Sequence, residues 1–184
     1  MKCAALGRVC AALGLAAAVA RAEEPAMKLT SPAFEHNARI PRKHTGEGED
    51  ASPPLRWENP PAGTRAFALI CDDPDAVRVA GIVWDHWLIW NLPAETRELP
   101  ENVGRAPTLP ALGGARQGRN SWPRTGYNGP MPPPGSGPHR YRFRLYALDA
   151  PLDLPPNAGR PALEAAMKGH ILAEAELVGV YERK

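Results

Sequence analysis

The chain has 184 residues, with 22 Lys and Arg, 20 Asp and Glu, and 22 prolines. A formal net charge of +2 is too small to indicate nucleic acid or an anionic membrane surface as the partner. A chain of this length is typical of one domain built around one core.

The first 22 residues have the pattern of a signal peptide. Lys2 and Arg8 supply positive charge, residues 9–20 are mostly Ala, Leu and Val, and Ala20-Arg21-Ala22 has small residues at both positions of an A-x-A cleavage site. The apolar run has 12 residues, fewer than the roughly 20 that a membrane-spanning helix needs. We therefore predict export, with cleavage near Ala22, to the periplasm or the extracellular medium, and no integral membrane association.

Removal of this segment would leave residues 23–184 as a single domain. Three of the bases, Lys2, Arg8 and Arg21, lie in the leader, so the remainder has 19 bases against 20 acids. It also keeps one cysteine, Cys71, and can form no internal disulfide. The hydrophobic core must therefore supply the stability, which is unusual for a small exported protein.

Three strands and one helix are predicted in chain order. Residues 66–71 form a continuous apolar run ended by Asp72-Asp73-Pro74, as in a buried strand, and residues 84–92 are rich in aromatic and β-branched side chains. Residues 140–148 alternate, with Arg140, Arg142 and Arg144 on one face and Tyr141, Phe143 and Leu145 on the other, which predicts one wet and one packed face. A short helix from Pro161 to Gly169 and a last strand near residues 176–181 follow. The pattern favours a β-sandwich with a short helix near its end.

The common catalytic and nucleotide-binding motifs are absent from the sequence. It contains no P-loop, no G-x-G-x-x-G, no G-x-S-x-G and no H-E-x-x-H, and no Cys and His residues are spaced for structural zinc. Hydrolase and NTPase functions are therefore disfavoured.

Three polar clusters remain near the predicted strand ends: Asp73-Pro74-Asp75, Asp85-His86, and the loop 126–135 that leads to His139. Each also fits a purely structural role. Asp73-Pro74-Asp75 is a common turn, His86 fits a hydrogen-bonded core histidine, the loop 126–135 fits a stiff connector, and His139 fits an exposed strand end. Strict alternation places His86 on the face of Trp84, Leu88 and Trp90, opposite Asp85 and Trp87. If Asp73, His86 and His139 line one cavity, its chemistry suits a phosphate or carboxylate oxygen better than a cation.

The order of the motifs resembles the phosphatidylethanolamine-binding protein (PEBP) family, and in particular its bacterial Raf-kinase-inhibitor-like branch. The matching segments, which cover roughly residues 29–183, are Ile40-Pro41, Ser52-Pro-Pro-Leu-Arg-Trp57, Asp73-Pro-Asp-Ala76, Trp84-Asp-His-Trp87, Gly126-Tyr-Asn-Gly-Pro130 with Pro132-Pro133, His139-Arg-Tyr141, Gly169-His-Ile-Leu-Ala173 and Gly179-Val-Tyr181. Each segment alone is a weak signal, whereas the ordered series is specific.

The resemblance implies two antiparallel sheets with a short flanking helix and a shallow anion pocket. Matched by motif, the implied pocket residues are Asp73, Pro74, His86, Tyr127, Pro130, His139 and Tyr141. The chain departs from the family pattern at Val77, where the family usually has proline, and at Met131, where bacterial relatives often have cysteine. Val77 in place of proline predicts a less rigid loop after Asp73-Pro74-Asp75. Met131 in place of cysteine predicts a more flexible pocket rim without thiol reactivity.

The leading functional hypothesis is a non-catalytic binding protein for a small anion that bears phosphate or carboxylate, such as a phospholipid headgroup, with no cofactor. A protein-contact regulator, for instance a protease or kinase inhibitor, is the first alternative. An enzyme that uses Asp73, His86 and His139, with or without a metal, is the second. The resemblance leaves homodimerisation open. We expect His139→Ala to abolish anion binding with thermal stability nearly unchanged.

Overall fold

The computed structural model describes residues 25–184, so the predicted leader and its cleavage site lie outside the described residues. Within them, nine strands form two antiparallel sheets accompanied by two short α-helices. The strands are β1 (Lys28–Thr30), β2 (Leu55–Glu58), β3 (Ala66–Asp73), β4 (Trp84–Pro93), β5 (Glu98–Leu99), β6 (Thr108–Leu109), β7 (Ala115–Gln117), β8 (His139–Leu148) and β9 (Ile171–Tyr181). The helices are α1 (Val77–Ala80) and α2 (Arg160–Met167), and 3-10 turns cover Arg42–His44, Pro74–Ala76 and Pro110–Leu112. The predicted mainly β fold with two antiparallel sheets and a short C-terminal helix is confirmed.

The central position of β3 explains its continuous apolar sequence. The smaller sheet has the order β1-β2-β5, and the larger has the order β6-β7-β4-β3-β8-β9. β3 pairs with β4 on one side and β8 on the other, and all eight of its residues are buried. A strand covered on both faces cannot alternate between apolar and polar residues, because neither face meets water.

The alternation predicted for β8 is confirmed, but its arginine face is less exposed to solvent than expected. Tyr141, Phe143 and Leu145 lie in the core that also holds residues of the smaller sheet. On the opposite face, only 31% of the Arg142 side chain and 16% of the Arg144 side chain are exposed. Both arginines bind the buried carboxylate of Asp72, so this face carries an ion-pair cluster rather than a solvated surface.

A second, smaller core covers the outer face of the larger sheet. Leu163 and Met167, one helical turn apart on α2, are buried there together with Ile70, Leu88 and other apolar residues of the sheet. Gly169 has φ +86°, which suits it to end the helical segment. No helix in residues 25–184 has the length and apolar character to cross a membrane.

A β-bulge at His86 corrects the predicted faces of β4. Cys71 of β3 faces Trp87, whereas the next residue, Asp72, faces Asp85, so His86 is the extra residue on β4. A bulge shifts the alternation by one position. Consequently Trp87 lies in the core between the sheets, whereas Leu88 and Trp90 lie in the core under α2. The prediction that His86 shares a face with Leu88 and Trp90, opposite Trp87, was therefore wrong.

Candidate functional site

A cavity of about 210 Å³ lies at the end of the larger sheet where β3 ends and where β4 and β8 begin. Its polar lining residues are Asp73, His86, His139 and Tyr141, and Trp84 and Trp122 form an aromatic wall. The rest of the lining is apolar and consists of Ala76, Val79, Ala80, Met131, Pro132 and Pro133. The antiparallel pairing of three central strands thus brings four of the predicted site residues together.

Asp73 and His139 form a buried pair inside this cavity. The Nδ1 atom of His139 lies 2.7 Å from Oδ2 of Asp73, and both side chains are almost completely shielded from solvent. The other carboxylate oxygen, Oδ1, accepts a hydrogen bond from the backbone N–H of Ala76 at 3.0 Å. Asp73 therefore orients the imidazole and at the same time fixes the turn that leads into α1.

This pairing changes one expectation drawn from the sequence. His139→Ala would leave the Asp73 carboxylate buried without its imidazole partner, and an unpaired buried charge is costly. The expectation that thermal stability stays nearly unchanged in this variant therefore no longer holds. A substitution that keeps the hydrogen bond to Asp73 is needed to separate binding from folding.

His86 is held by the proline-rich loop, residues 126–135. Its Nδ1 atom lies 2.6 Å from the backbone oxygen of Asn128, and its ring packs edge-on against Tyr141 and Trp122, with centroids 5.0 Å apart in each case. Burial lowers the pKa of His86 below its usual value, although nearby acidic groups oppose this shift. The ring is therefore neutral near pH 7.

Asp50 anchors the loop that holds His86. Its Oδ1 atom accepts a hydrogen bond from the backbone N–H of Gly129 at 2.6 Å, and its Oδ2 atom accepts one from the side chain of Asn128 at 3.1 Å. Asn120 donates to the Oδ1 atom of Asn128 at 2.8 Å. These contacts fix the carbonyl group that orients the His86 imidazole.

Three lining residues carry a buried polar atom that has no hydrogen-bond partner in the described part of the chain. These atoms are Trp84 Nε1, His139 Nε2 and the hydroxyl oxygen of Tyr141. Burial, and secondly the charge of Asp73, raises the pKa of Tyr141 far above its usual value, so its hydroxyl keeps its proton. Unpaired buried polar groups are rare in proteins, because each costs about 1–3 kcal/mol.

The remaining predicted site residues, Pro74, Tyr127 and Pro130, support the cavity without lining it. Tyr127 is buried, and its hydroxyl donates to the backbone oxygen of His44 at 2.7 Å. The backbone oxygen of Pro130 accepts from the N–H of Gly46 at 2.9 Å, and Pro74 begins the 3-10 turn after β3. The loop therefore packs inward against residues 44–50, so these side chains hold the backbone in place.

Sequence reasoning missed Trp122, which lines the cavity, and Asn128, whose carbonyl holds His86. The side chain of Asn120 holds the turn at Trp122, because its Oδ1 atom accepts a hydrogen bond from the backbone N–H of Trp122 at 3.0 Å. No pattern in Arg119-Asn120-Ser121-Trp122 predicts this placement. Asn128 belongs to a motif that was recognised, but the role of its backbone oxygen depends on the bulge at His86.

The two departures from the family pattern both lie on the surface near the cavity. Val77 begins α1 and is 48% exposed, and Met131 is also 48% exposed and lines the rim. Val79 and Ile82, in and just after α1, are exposed to a similar degree. Val79 and Met131 line the cavity, and Val77 and Ile82 are exposed apolar residues close to Val79 in the chain; we call these four residues the apolar rim (Val77, Val79, Ile82 and Met131).

A larger depression of about 730 Å³ lies between β1 and β9 and contains none of the predicted site residues. None of the unpaired buried polar atoms described above belongs to its lining. In residues 25–184, no three His, Cys, Asp or Glu side chains are arranged to hold a metal ion. The smaller cavity is therefore the stronger candidate site on chemical grounds.

Comparison with known proteins gives one consistent family. The family model for phosphatidylethanolamine-binding protein matches residues 30–182. A UPF0098 protein of Methanothermobacter thermautotrophicus is 49% identical over 157 residues, which is 85% of this chain and 99% of that protein. The crystal structure of E. coli YbcL, described as a member of the mammalian PEBP family, matches with a TM-score of 0.80 at 33% identity, over 87% of this chain and 100% of that chain. A PEBP homolog from Chlamydia trachomatis, CT736, matches with a TM-score of 0.76 at 38% identity, over 86% of this chain and 99% of that one.

Proposed function

The chain belongs to the phosphatidylethanolamine-binding protein family, and we propose that it is a non-catalytic binding protein for small anions. The cavity at the ends of β3, β4 and β8 takes the phosphate or carboxylate group of the ligand. The rest of the ligand, whether a lipid glycerol, a nucleoside or a peptide, extends over the apolar rim.

The observation that carries this proposal is the set of unpaired polar atoms in the cavity. Trp84 Nε1, His139 Nε2 and the Tyr141 hydroxyl are all buried with no hydrogen-bond partner among the described residues, and all three residues line the same small space. The indole N–H of Trp84 and the hydroxyl of Tyr141 are donors that can bond to the acceptor oxygens of an oxyanion, and Nε2 of His139 can accept a hydrogen bond from a protonated oxyanion or donate one when the ring carries a second proton. A volume of about 210 Å³ fits the charged end of a ligand better than a whole lipid or nucleotide.

The same residues lack the arrangement that nucleophilic catalysis requires. Asp73 and His139 form an acid–imidazole pair, but within residues 25–184 no Ser, Thr or Cys side chain lines the cavity next to His139. Cys71 is buried in the core, and burial raises the pKa of its thiol well above the usual value. These features favour binding over a covalent mechanism.

We also propose that the protein acts outside the cytoplasm. The charge, apolar run and A-x-A pattern of residues 1–22 support this proposal. Mass spectrometry of protein recovered from the periplasm or medium should find a chain that begins at Glu23. Recovery of the full-length chain from the cytoplasm would contradict it.

A second candidate function, regulation by protein contact, is favoured by the apolar rim. Val77, Val79, Ile82 and Met131 account for four of the six large hydrophobic side chains that are exposed in residues 25–184. Two of them, Val79 and Met131, line the cavity, and exposed apolar residues beside a cavity are typical of surfaces that meet a partner. The rim and the cavity are adjacent, so an anionic group on a partner protein could use both.

Calorimetric titration with phosphate, phosphoethanolamine and a nucleotide tests the proposed function. The decisive variant is His139→Asn, because its side-chain N–H can replace Nδ1 as the donor to Asp73 while the Nε2 atom is lost. We expect wild-type protein to bind at least one of these anions and His139→Asn to lose at least tenfold in affinity with little change in Tm.

The matched control is His170→Asn on the surface, where the imidazole is 46% exposed and pairs with Asp149. It should bind anions like the wild type. If the wild-type protein binds none of the three anions, the anion-binding proposal is wrong, and regulation by protein contact becomes the leading function.

A further inference from the structure

The charge inventory of the cavity is unusual for an anion site. Among the described residues that line it, one is a carboxylate, Asp73, and none is Lys or Arg. The nearby Arg140 is engaged by Asp75 through three hydrogen bonds of 2.9–3.0 Å. An oxyanion without protons would therefore lose water beside Asp73 without meeting a permanent positive charge, which is unfavourable.

The two imidazoles cannot supply this charge in their neutral form. The partner of His86 Nδ1 is a backbone carbonyl oxygen, which can only accept, so Nδ1 carries the proton of the neutral ring. The partner of His139 Nδ1 is the Asp73 carboxylate, which likewise accepts. In both rings the Nε2 atom is then a lone pair, which accepts hydrogen bonds and repels an anion until the ring gains a second proton.

From this fixed arrangement we infer that the cavity selects oxyanions that carry a proton, namely inorganic phosphate near neutral pH and phosphate monoesters below about pH 6, over sulfate and sulfonate groups. The inference rests on the proposed anion-binding function and deepens it. A P–OH group donates to the Nε2 lone pair of His86 or His139, while the Tyr141 hydroxyl donates to a P–O oxygen. A proton on the ligand thus forms the same hydrogen bond to Nε2 that would otherwise require protonation of the ring.

The charged and titratable groups around the two rings support this assignment. His139 contacts Asp73 directly, and the ring of His86 packs edge-on against the ring of Tyr141, whose hydroxyl stays protonated. Asp73, Asp72 and Asp50 act on His86 through their charge, but burial outweighs them and lowers its pKa. Uptake of a proton by His86 from solvent is therefore harder than for an exposed histidine.

The expected selectivity follows from proton occupancy. An imidazole with the usual pKa of about 6.5 is about one-tenth protonated at pH 7.5, and burial lowers the pKa of His86 below that value, so a still smaller fraction of His86 carries a second proton there. Phosphate retains at least one proton near neutral pH and its monoesters lose theirs only near pH 6, whereas sulfate has none. Phosphate should thus bind at least about tenfold more tightly than sulfate at pH 7.5, with a smaller ratio at pH 5.5.

Titration of the purified protein with inorganic phosphate and with sulfate, each at pH 7.5 and pH 5.5, tests this inference. Repeating the pH 7.5 titrations in buffers of different ionisation enthalpy counts the protons taken up with each anion. We expect the tenfold preference for phosphate at pH 7.5, and more proton uptake per sulfate than per phosphate wherever sulfate binding is measurable.

The variant His86→Gln removes the lone pair, because the glutamine amide places a non-titrating N–H donor near the position of Nε2. It should bring the phosphate-to-sulfate ratio at pH 7.5 towards one. Equal binding of both anions by the wild type, with no change between the two pH values, would overturn the inferred selectivity but would still support the proposed anion-binding function. Binding of neither anion at either pH would overturn the proposed function itself, and the inference with it.

Discussion

Asp72 and Asp73 are neighbours in the sequence but serve opposite faces of the larger sheet. Asp73 faces the cavity and holds His139. Asp72 is fully buried on the other face, where it accepts hydrogen bonds from Arg142, Arg144 and Arg160 at 2.6–3.0 Å. Because side chains alternate along a strand, two adjacent aspartates have different roles: Asp73 is a candidate binding group and Asp72 is structural.

Asp72→Asn should therefore destabilise the fold without disturbing the cavity. The substitution leaves three arginines around a neutral amide, and breaking a buried ionic cluster in this way costs about 3–5 kcal/mol. Chemical denaturation should show a loss of at least about 2 kcal/mol, since the arginines keep partial access to water. Phosphate affinity at pH 7.5 should stay within a factor of about three.

The exposed Asp153 offers a matched control, and Asp153→Asn should change the free energy of unfolding by less than about 0.5 kcal/mol. A stable Asp72→Asn protein would show that the cluster contributes little. A large loss of phosphate affinity in a folded Asp72→Asn protein would instead show that the two faces are coupled.

At the scale of elements, the proline-rich loop depends on a close backbone approach at Gly129. A Cβ atom at this position would meet the backbone oxygen of His44 and would lie 2.8 Å from Cα of Thr45. The loop therefore cannot accept a side chain here without moving. Any such movement displaces the neighbouring carbonyl of Asn128, which fixes the His86 ring.

Gly129→Ala should lower the free energy of unfolding by about 1–3 kcal/mol, the usual cost of forcing an extra methyl group into a packed site. It should also weaken phosphate binding. Gly104→Ala is the control, because a Cβ atom there meets no heavy atom within 4 Å, and it should behave like the wild type. An unchanged Gly129→Ala protein would contradict the described packing of the loop on residues 44–50.

The long central elements could be predicted from the sequence, and the short peripheral ones could not. β3, β8 and α2 carry their own signals, which are a continuous apolar run, a strict alternation, and a proline followed by apolar residues one turn apart. β5 and β6 have two residues each, too few to show a period. Their pairing depends on tertiary contacts that no local pattern records.

The candidate site could be predicted in part for the same reason. Asp73 follows the predicted apolar run and His139 precedes the predicted alternating strand, so the motif resemblance identified both, and alternation places Tyr141 on the packed face of β8. His86 lies at a bulge, where alternation fails, and its neighbours were assigned to the wrong faces. The motif resemblance identified Tyr127 and Pro130 as pocket residues, but the direction of side chains in an irregular loop cannot be read from a motif.

At the scale of the whole molecule, acid should lower the stability of the ligand-free protein in two separate ranges. Burial holds the pKa of His86 below the value of about 6.5 expected in the unfolded chain. The unfolded state therefore binds more protons than the folded state as pH falls below about 6.5, and the free energy of unfolding decreases. The hydrogen bonds from Arg140 lower the pKa of Asp75 from 3.8 to about 2. The stability that Asp75 contributes is thus present above pH 3.8 and is lost as pH falls towards 2.

Phosphate should oppose the first of these two effects. A ligand stabilises the folded state according to its concentration relative to Kd, and affinity for phosphate should rise as pH falls because both the ligand and the rings then carry more protons. Thermal unfolding should therefore show a Tm that falls between pH 7.5 and pH 5.5 without ligand, and falls less in excess phosphate.

His86→Gln distinguishes this explanation from a general effect of acid on the chain. The variant has no titrating group at the bulge, so the part of the Tm decrease that belongs to His86 should disappear between pH 7.5 and pH 5.5, while the loss below pH 4 that belongs to Asp75 should remain. If wild-type and variant proteins show the same decrease in the upper range, the buried imidazole is not what makes the fold sensitive to mild acid. In that case the protonation of His86 costs little in the folded state, and the preference for proton-carrying anions would have to rest on His139 alone.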